Sequence, residues 1–134
     1  MVNSKQKGAR GERELAKVLR DYGYKDVVRS QQYSGKGQDS SDLVNLPGIH
    51  PECKRQERLN ILDAVAQAVN DCDNGKLPTV FHRKNRGEWL VTLRLQDFII
   101  LYREYESGLR LAGIGGDYVD KRRDIGNRAG DDAK

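Results

Sequence analysis

The chain has 134 residues, 33% of them charged and 37% hydrophobic, with a formal net charge of +4 at pH 7. That length supports one modest core and leaves no room for a second full domain. Its two cysteines, Cys53 and Cys72, stand without CxxC or paired His/Cys spacing, which argues against a disulfide framework and a structural zinc site. No apolar run is long enough to span a bilayer, and the basic start lacks an apolar signal-type segment. The expectation is a cytoplasmic protein with no membrane partner.

In chain order, Leu15, Val18, Leu19 and Tyr22 recur at helical spacing and predict a helix over residues 4–22, stopped by Gly23. Residues 26–30 read as a short strand. Residues 31–41 are polar and glycine-rich and read as a mobile loop. Leu43, Val44 and Leu46 mark a second strand, Pro47-Gly48 a turn, and residues 49–54 a third strand, so the last two would form a hairpin. Ile61, Leu62, Val65, Ala68, Val69 and Cys72 share one face of a helix over residues 59–72, ended by Asn74-Gly75. Two more strands, residues 77–82 and 89–93, flank the charged turn 83–87, and residues 96–105 form a last helix. Residues 109–111 could add a short strand. The expected division is a domain over residues 1–112 and a flexible tail over 113–134. Such an order fits an α/β fold, a mixed sheet with helices on both faces.

The basic residues gather in runs. Lys5, Lys7, Arg10, Arg13, Lys17 and Arg20 come first, then Lys54, Arg55 and Arg58, then Arg83, Lys84 and Arg86. Such runs attract phosphate, although solvated surface charge reads equally well.

The sharpest pattern is Asp42 followed by Glu52-Cys53-Lys54. On a strand Glu52 and Lys54 share a face while Cys53 points the other way, into the core. Asp42 would sit across the turn on the neighbouring strand. Two carboxylates and an ammonium meeting at one point suit phosphodiester hydrolysis. Mg²⁺ prefers oxygen ligands, and Asp42, Glu52 and the Cys53 backbone carbonyl would supply them. Lys54 would orient the attacking water or stabilise the transition state. An exposed hairpin with an ordinary Glu/Lys pair is the plainer alternative, contributing only about 0–1 kcal/mol. Asp39 offers a second ligand position in the same region; Asp42 is preferred because Leu43-Val44 follows it as a strand would. Glu12 lies on the shoulder of the first helix's apolar stripe, where a metal or lysine would offset its burial, unless it pairs with Lys5 or Lys17. Glu14 points further from the stripe and reads as a solvent residue.

The run KGARGERELAKVLRDYGYKDVVRSQQYSGKG, then SDLVNL and PECKRQERLNI, resembles the archaeal-type Holliday junction resolvases. These open with a Lys-Gly-x-x-x-Glu-Arg-Glu-Leu helix and continue to an Arg-Ser strand, a Ser-Gly loop and the Asp and Glu-x-Lys strands. FHRKNRGEWLVTLRLQDFIILY resembles a phage branch of the PD-(D/E)XK nucleases, and the likeness covers roughly residues 5–105. The resemblance implies a restriction-endonuclease-like, mixed five-stranded sheet flanked by helices, usually as a homodimer. It implies a Mg²⁺-dependent DNA endonuclease, with Mn²⁺ able to substitute, acting on double-stranded or branched DNA. Glu12, Asp42, Glu52 and Lys54 would be its catalytic set, with Glu12 assisting the metal. Arg29 and Ser30 would approach the phosphate backbone, Ser34 and Lys36 would wrap the DNA, and Lys7, Arg10 and Arg55 would add basic contacts. A sequence- or nick-directed endonuclease of the same fold and a non-catalytic DNA-binding phage accessory protein are the alternatives. One departure stands out: Pro51 precedes Glu52 where relatives carry an apolar strand former, so the catalytic strand would be bent or locally unpaired.

Four other residues carry weaker signals. Gln67 lies on a helix where some relatives of this fold carry a useful Gln, but helical spacing turns it away from the apolar stripe and it receives no role. His50 reads as an ordinary strand histidine with a supporting or DNA-contacting role as the alternative. His82 could contact phosphate beside its basic turn, and Trp89 reads as sheet core.

Overall fold

The first amphipathic stretch folds as α1 (Ser4–Asp21), in a computed structural model that describes residues 4–30 and 41–112, with side chains from residue 8 onward. The side chain of Lys7, the residues Ser34, Lys36 and Asp39, and the expected tail 113–134 lie outside the described residues. The chain falls into two units, Met1–Arg94 and Leu95–Lys134.

In the first unit, α1 ends where the sequence places a stop. The Gly23 N–H donates to Arg20 O and the Tyr24 N–H to Leu19 O, the paired bonds that close a helix on a glycine. Leu15 and Ala16 bury against Val27 and Leu43, with Leu19, Cys53, Phe81 and Trp89 packed around them. Full burial of a Leu or Val of this kind contributes roughly 1.5–3 kcal/mol.

Among the described residues five strands form, but in two sheets. β1 (Val28–Arg29) pairs antiparallel with β2 (Leu43–Val44). A separate mixed sheet has the order β3-β4-β5, built from β3 (Ile49–Arg55), β4 (Leu77–Arg83) and β5 (Leu90–Thr92). This corrects the expectation of a single five-stranded sheet. It also corrects the expected hairpin. The turn at Pro47-Gly48 forms, with Gly48 at φ 78 and the Ile49 N–H donating to Leu46 O, as a proline-glycine turn requires. Beyond that turn, however, β3 pairs in parallel with β4 over seven residues, from Ile49 opposite Leu77 to Arg55 opposite Arg83. The connection between them is α2 (Ile61–Asp71), as a parallel pair demands.

α2 starts at Asn60, whose side chain accepts the Asp63 N–H. Ala64 and Ala68 bury against Val80 of β4. Alternation then assigns the faces of β3. Glu52 and Lys54 stand beside Val80 and His82 on the α2 side, while Cys53 stands beside Phe81 on the α1 side.

The second unit contributes α3 (Leu95–Leu111) among the described residues. The helix runs six residues past its expected end at residue 105, so residues 109–111 are helical and not a strand. Phe98 stacks on Tyr102 at 5.9 Å between ring centroids, and Tyr102 meets Tyr105 at 6.2 Å.

Candidate active site

β3 is an edge strand of its sheet, and its outward edge is where Asp42 attaches. The Asp42 N–H donates to Pro51 O at 3.0 Å, Asp42 O accepts the Ser30 N–H at 2.9 Å, and Asp42 Oδ2 accepts the Cys53 N–H at 2.7 Å. The acid is therefore held at both its backbone and its side chain. In a strand, the N–H and C=O of one residue point to the same side. The Cys53 carbonyl accordingly opens towards Asp42, on the side expected of a metal ligand. The same alternation explains Pro51. Its missing N–H would face this outer edge and not β4, so the strand stays paired through Pro51 opposite Thr79. The expected local loss of pairing is absent.

Gly11 brings α1 close. A Cβ there would lie 3.0 Å from Arg55 Cβ and 3.7 Å from Cys53 Sγ, so only glycine lets the helix lie this near β3. The next residue, Glu12, reaches the same cleft. Glu12, Asp42, Glu52, Lys54 and Gln67 all line this space of about 580 Å³. The four residues singled out from the sequence are thus brought together.

The electrostatics of the cleft are unusual. Burial, followed by the Glu52 carboxylate, pushes Asp42 up from an ordinary 3.8 to about 7; Glu12 adds to the rise, while the Cys53 N–H and Lys54 oppose it. Glu52 is only 2% exposed. Burial and the charge of Asp42 likewise push the Cys53 thiol far above its ordinary range, so it stays an unreactive thiol.

Among the described residues, no three His, Cys, Asp or Glu side chains already close around one point. Mg²⁺ asks for less: one or two carboxylates, with water completing the shell. A buried Glu52 and a half-buried Asp42, the latter driven towards its neutral form by desolvation and then by Glu52, make a donor set that a hard divalent cation relieves. The residues present fit such an ion.

Three features were not read from the sequence. Gln67 faces the cleft, and its Oε1 accepts from Lys54 Nζ at 3.0 Å. A helical wheel measured from the apolar stripe points Gln67 away, yet the cleft runs along that flank of α2. Glu14 is no solvent residue: it accepts from Arg55 Nε at 3.1 Å and from Arg83 at 2.6 Å, joining α1 to the ends of β3 and β4. Arg29 donates to Glu12 Oε1 at 2.6 Å, where the sequence suggested Lys5 or Lys17 as partners for that glutamate.

The residues expected on the nucleic acid divide accordingly. Arg29 is engaged by Glu12, and Arg55 by Glu14 and by Asn85 at 2.7 Å. Arg10 is exposed on α1, and Ser30 is half-buried with its N–H on Asp42. His82 places Nε2 2.9 Å from Thr92 Oγ1. Trp89 packs into the core, with the Arg83 guanidinium 5.8 Å above its ring. A second cleft, about 730 Å³, continues from the first through Gln56, Glu57 and Arg58 to Lys84 and Leu90.

A family model described as "Phage putative PDDEXK endonuclease" matches residues 3–112. No curated protein and no solved structure matches the chain. Among the described residues no helix is long and apolar enough to cross a membrane.

Proposed function

Because this chain belongs to the family of phage PD-(D/E)XK endonucleases, we propose that it hydrolyses DNA phosphodiester bonds with Mg²⁺ at the cleft of Asp42, Glu52 and Lys54, and that its substrate is branched DNA such as a four-way junction. The observation that carries this reading is the raised proton affinity of Asp42 beside buried Glu52, within a cleft that also holds an ammonium.

Asp42, Glu52 and the Cys53 carbonyl would hold the ion, with Glu12 assisting. When bound, the ion supplies charge to the phosphate oxygens and lowers the pKa of a water. The remaining work falls to the chain. The Cys53 N–H and the backbone bonds of Asp42 fix that carboxylate against β3. Lys54 places an ammonium where negative charge develops on the phosphorane, and Gln67 fixes the Lys54 side chain on the α2 side. Water would attack phosphorus and release a proton to solvent, a P–O bond of the backbone would break, and the leaving oxygen would take a proton from solvent.

DNA would run from the catalytic cleft across Gln56–Arg58 into the second cleft, whose exposed Arg58 and Lys84 attract phosphate. Arg10 would add a phosphate contact, as would Lys7, Ser34 and Lys36. A homodimer would set two such sites on opposed strands, which suits symmetric cutting of a junction.

Incubation with Mg²⁺ of junction, flap, nicked and linear duplex substrates tests this reading. Cutting is expected on the junction first. Glu52→Ala and Lys54→Ala should both lose cutting and keep DNA binding. Cleavage retained in both variants would remove the site, and equal cutting of all four substrates would remove the branch preference.

A further inference from the structure

We infer that His50 is a positioning residue for Glu52, using an imidazole N–H to fix which carboxylate oxygen of Glu52 faces the cation. The inference rests on the metal-dependent reading of the cleft. His50 precedes Glu52 by two residues on β3, so both side chains stand on the same face. It is 0% exposed, and Glu52 is 2% exposed. Neither ring nitrogen has a hydrogen-bond partner among the described residues. Buried polar groups in folded proteins are nearly always paired, so an imidazole with both nitrogens unpaired calls for a role.

The group His50 does approach is Glu52, with Nε2 3.8 Å from Oε1. That gap is too long for a hydrogen bond, and the contact would form when the Glu52 carboxylate turns to bring Oε1 within about 3.2 Å of Nε2. Oε1 would then be held by His50, leaving Oε2 for the cation. Carboxylates that ligate metals are commonly held this way by a neighbouring donor, and loss of the donor weakens metal affinity about 10–100-fold.

The test uses full-length protein with Mn²⁺ as the probe. His50→Leu should bind Mn²⁺ about 10–100-fold more weakly in calorimetry. Its kcat should fall while KM for DNA stays within about twofold, because His50 reaches no part of the DNA path. His50→Gln, which restores an N–H donor, should recover part of the affinity. Mn²⁺ binding by His50→Leu within twofold of wild type overturns the inference. Should His50→Leu fail to fold, the ring ¹⁵N resonances of wild-type His50 decide. A proton on Nε2 whose shift changes on Glu52→Gln supports the contact, and an unchanged spectrum overturns it. A wild type that binds Mn²⁺ with the His50 dependence described but cuts no DNA defeats the nuclease reading alone.

Discussion

Lys54 Nζ donates to Gln67 Oε1 at 3.0 Å, joining β3 to α2 across the mouth of the cleft. An ammonium held by a neutral amide keeps its full charge, which the proposed reaction would direct at the phosphate, whereas a carboxylate in that place would neutralise it.

Gln67→Ala should therefore lower single-turnover cleavage about 10-fold, and Lys54→Ala about 10²–10³-fold. DNA affinity by fluorescence anisotropy should change little in either. If Gln67→Glu cuts as fast as wild type, Gln67 has no part in setting the charge on Lys54.

Metal-free stability should fall as pH rises. The folded pKa of Asp42 is about 7 against an ordinary 3.8, so between those values the folded chain holds a proton that the unfolded chain has released. This contribution is complete below pH ~4 and is lost as pH climbs through about 7. Thermal melts in chelator should show Tm declining over that range, and Asp42→Asn should flatten the slope and match or exceed wild type at pH 8. Divalent cations compete with the same proton, so their affinity should strengthen up to about pH 7. A wild-type Tm that fails to respond to Asp42→Asn at any pH would count against the buried-acid description.

Much of the arrangement is legible in the residues themselves. Alternation along Glu52-Cys53-Lys54 assigns the two faces of β3 without any structure. The spacing of Leu15 and Leu19 identifies the packed side of α1. The partner of β3 is not legible. Pro47-Gly48 is a local turn signal and suggests a hairpin with β2, while the parallel ladder to β4 depends on packing after α2 and leaves no local mark. Helical spacing sets Gln67 aside for a related reason: an apolar stripe shows which side of a helix is buried, but not which flank borders a cleft. The two charges on Glu14 from Arg55 and Arg83 link residues far apart in the chain, and no periodicity reveals such a pair.

Gly11→Val should destabilise the fold by about 1–3 kcal/mol, because the added atoms meet Arg55 Cβ and Cys53 Sγ where α1 crosses β3. The helix must move off the strand and carry Glu12 with it. Urea unfolding would record the loss, and metal affinity should weaken in the same variant. Unchanged values for both would show that α1 tolerates a shift without disturbing the cleft.

Glu14→Ala should cost about 1–3 kcal/mol, since it removes the shared partner of two part-buried guanidiniums, Arg55 and Arg83, each only 21% exposed. The cost should shrink at high salt. A large loss independent of salt would indicate that packing, not charge, ties α1 to the strand ends.

Replacing Arg58 and Lys84 together with alanine should weaken DNA binding across all sequences and reduce the steepness of its salt dependence by roughly one unit for each phosphate contact removed. An unaltered salt slope would place the DNA elsewhere than the second cleft.

Pro51 on the outer rim of β3 has a further consequence. The border of a sheet is where stray chains add on and fibres grow. Here that border lacks one donor at Pro51, and Asp42 occupies both the Pro51 carbonyl and the Cys53 N–H. The groups that hold the acid in place also close the rim to a foreign strand, so a side chain at residue 42 that cannot accept would free the Cys53 N–H for such a strand, while the bond from the residue 42 N–H to Pro51 O would stay.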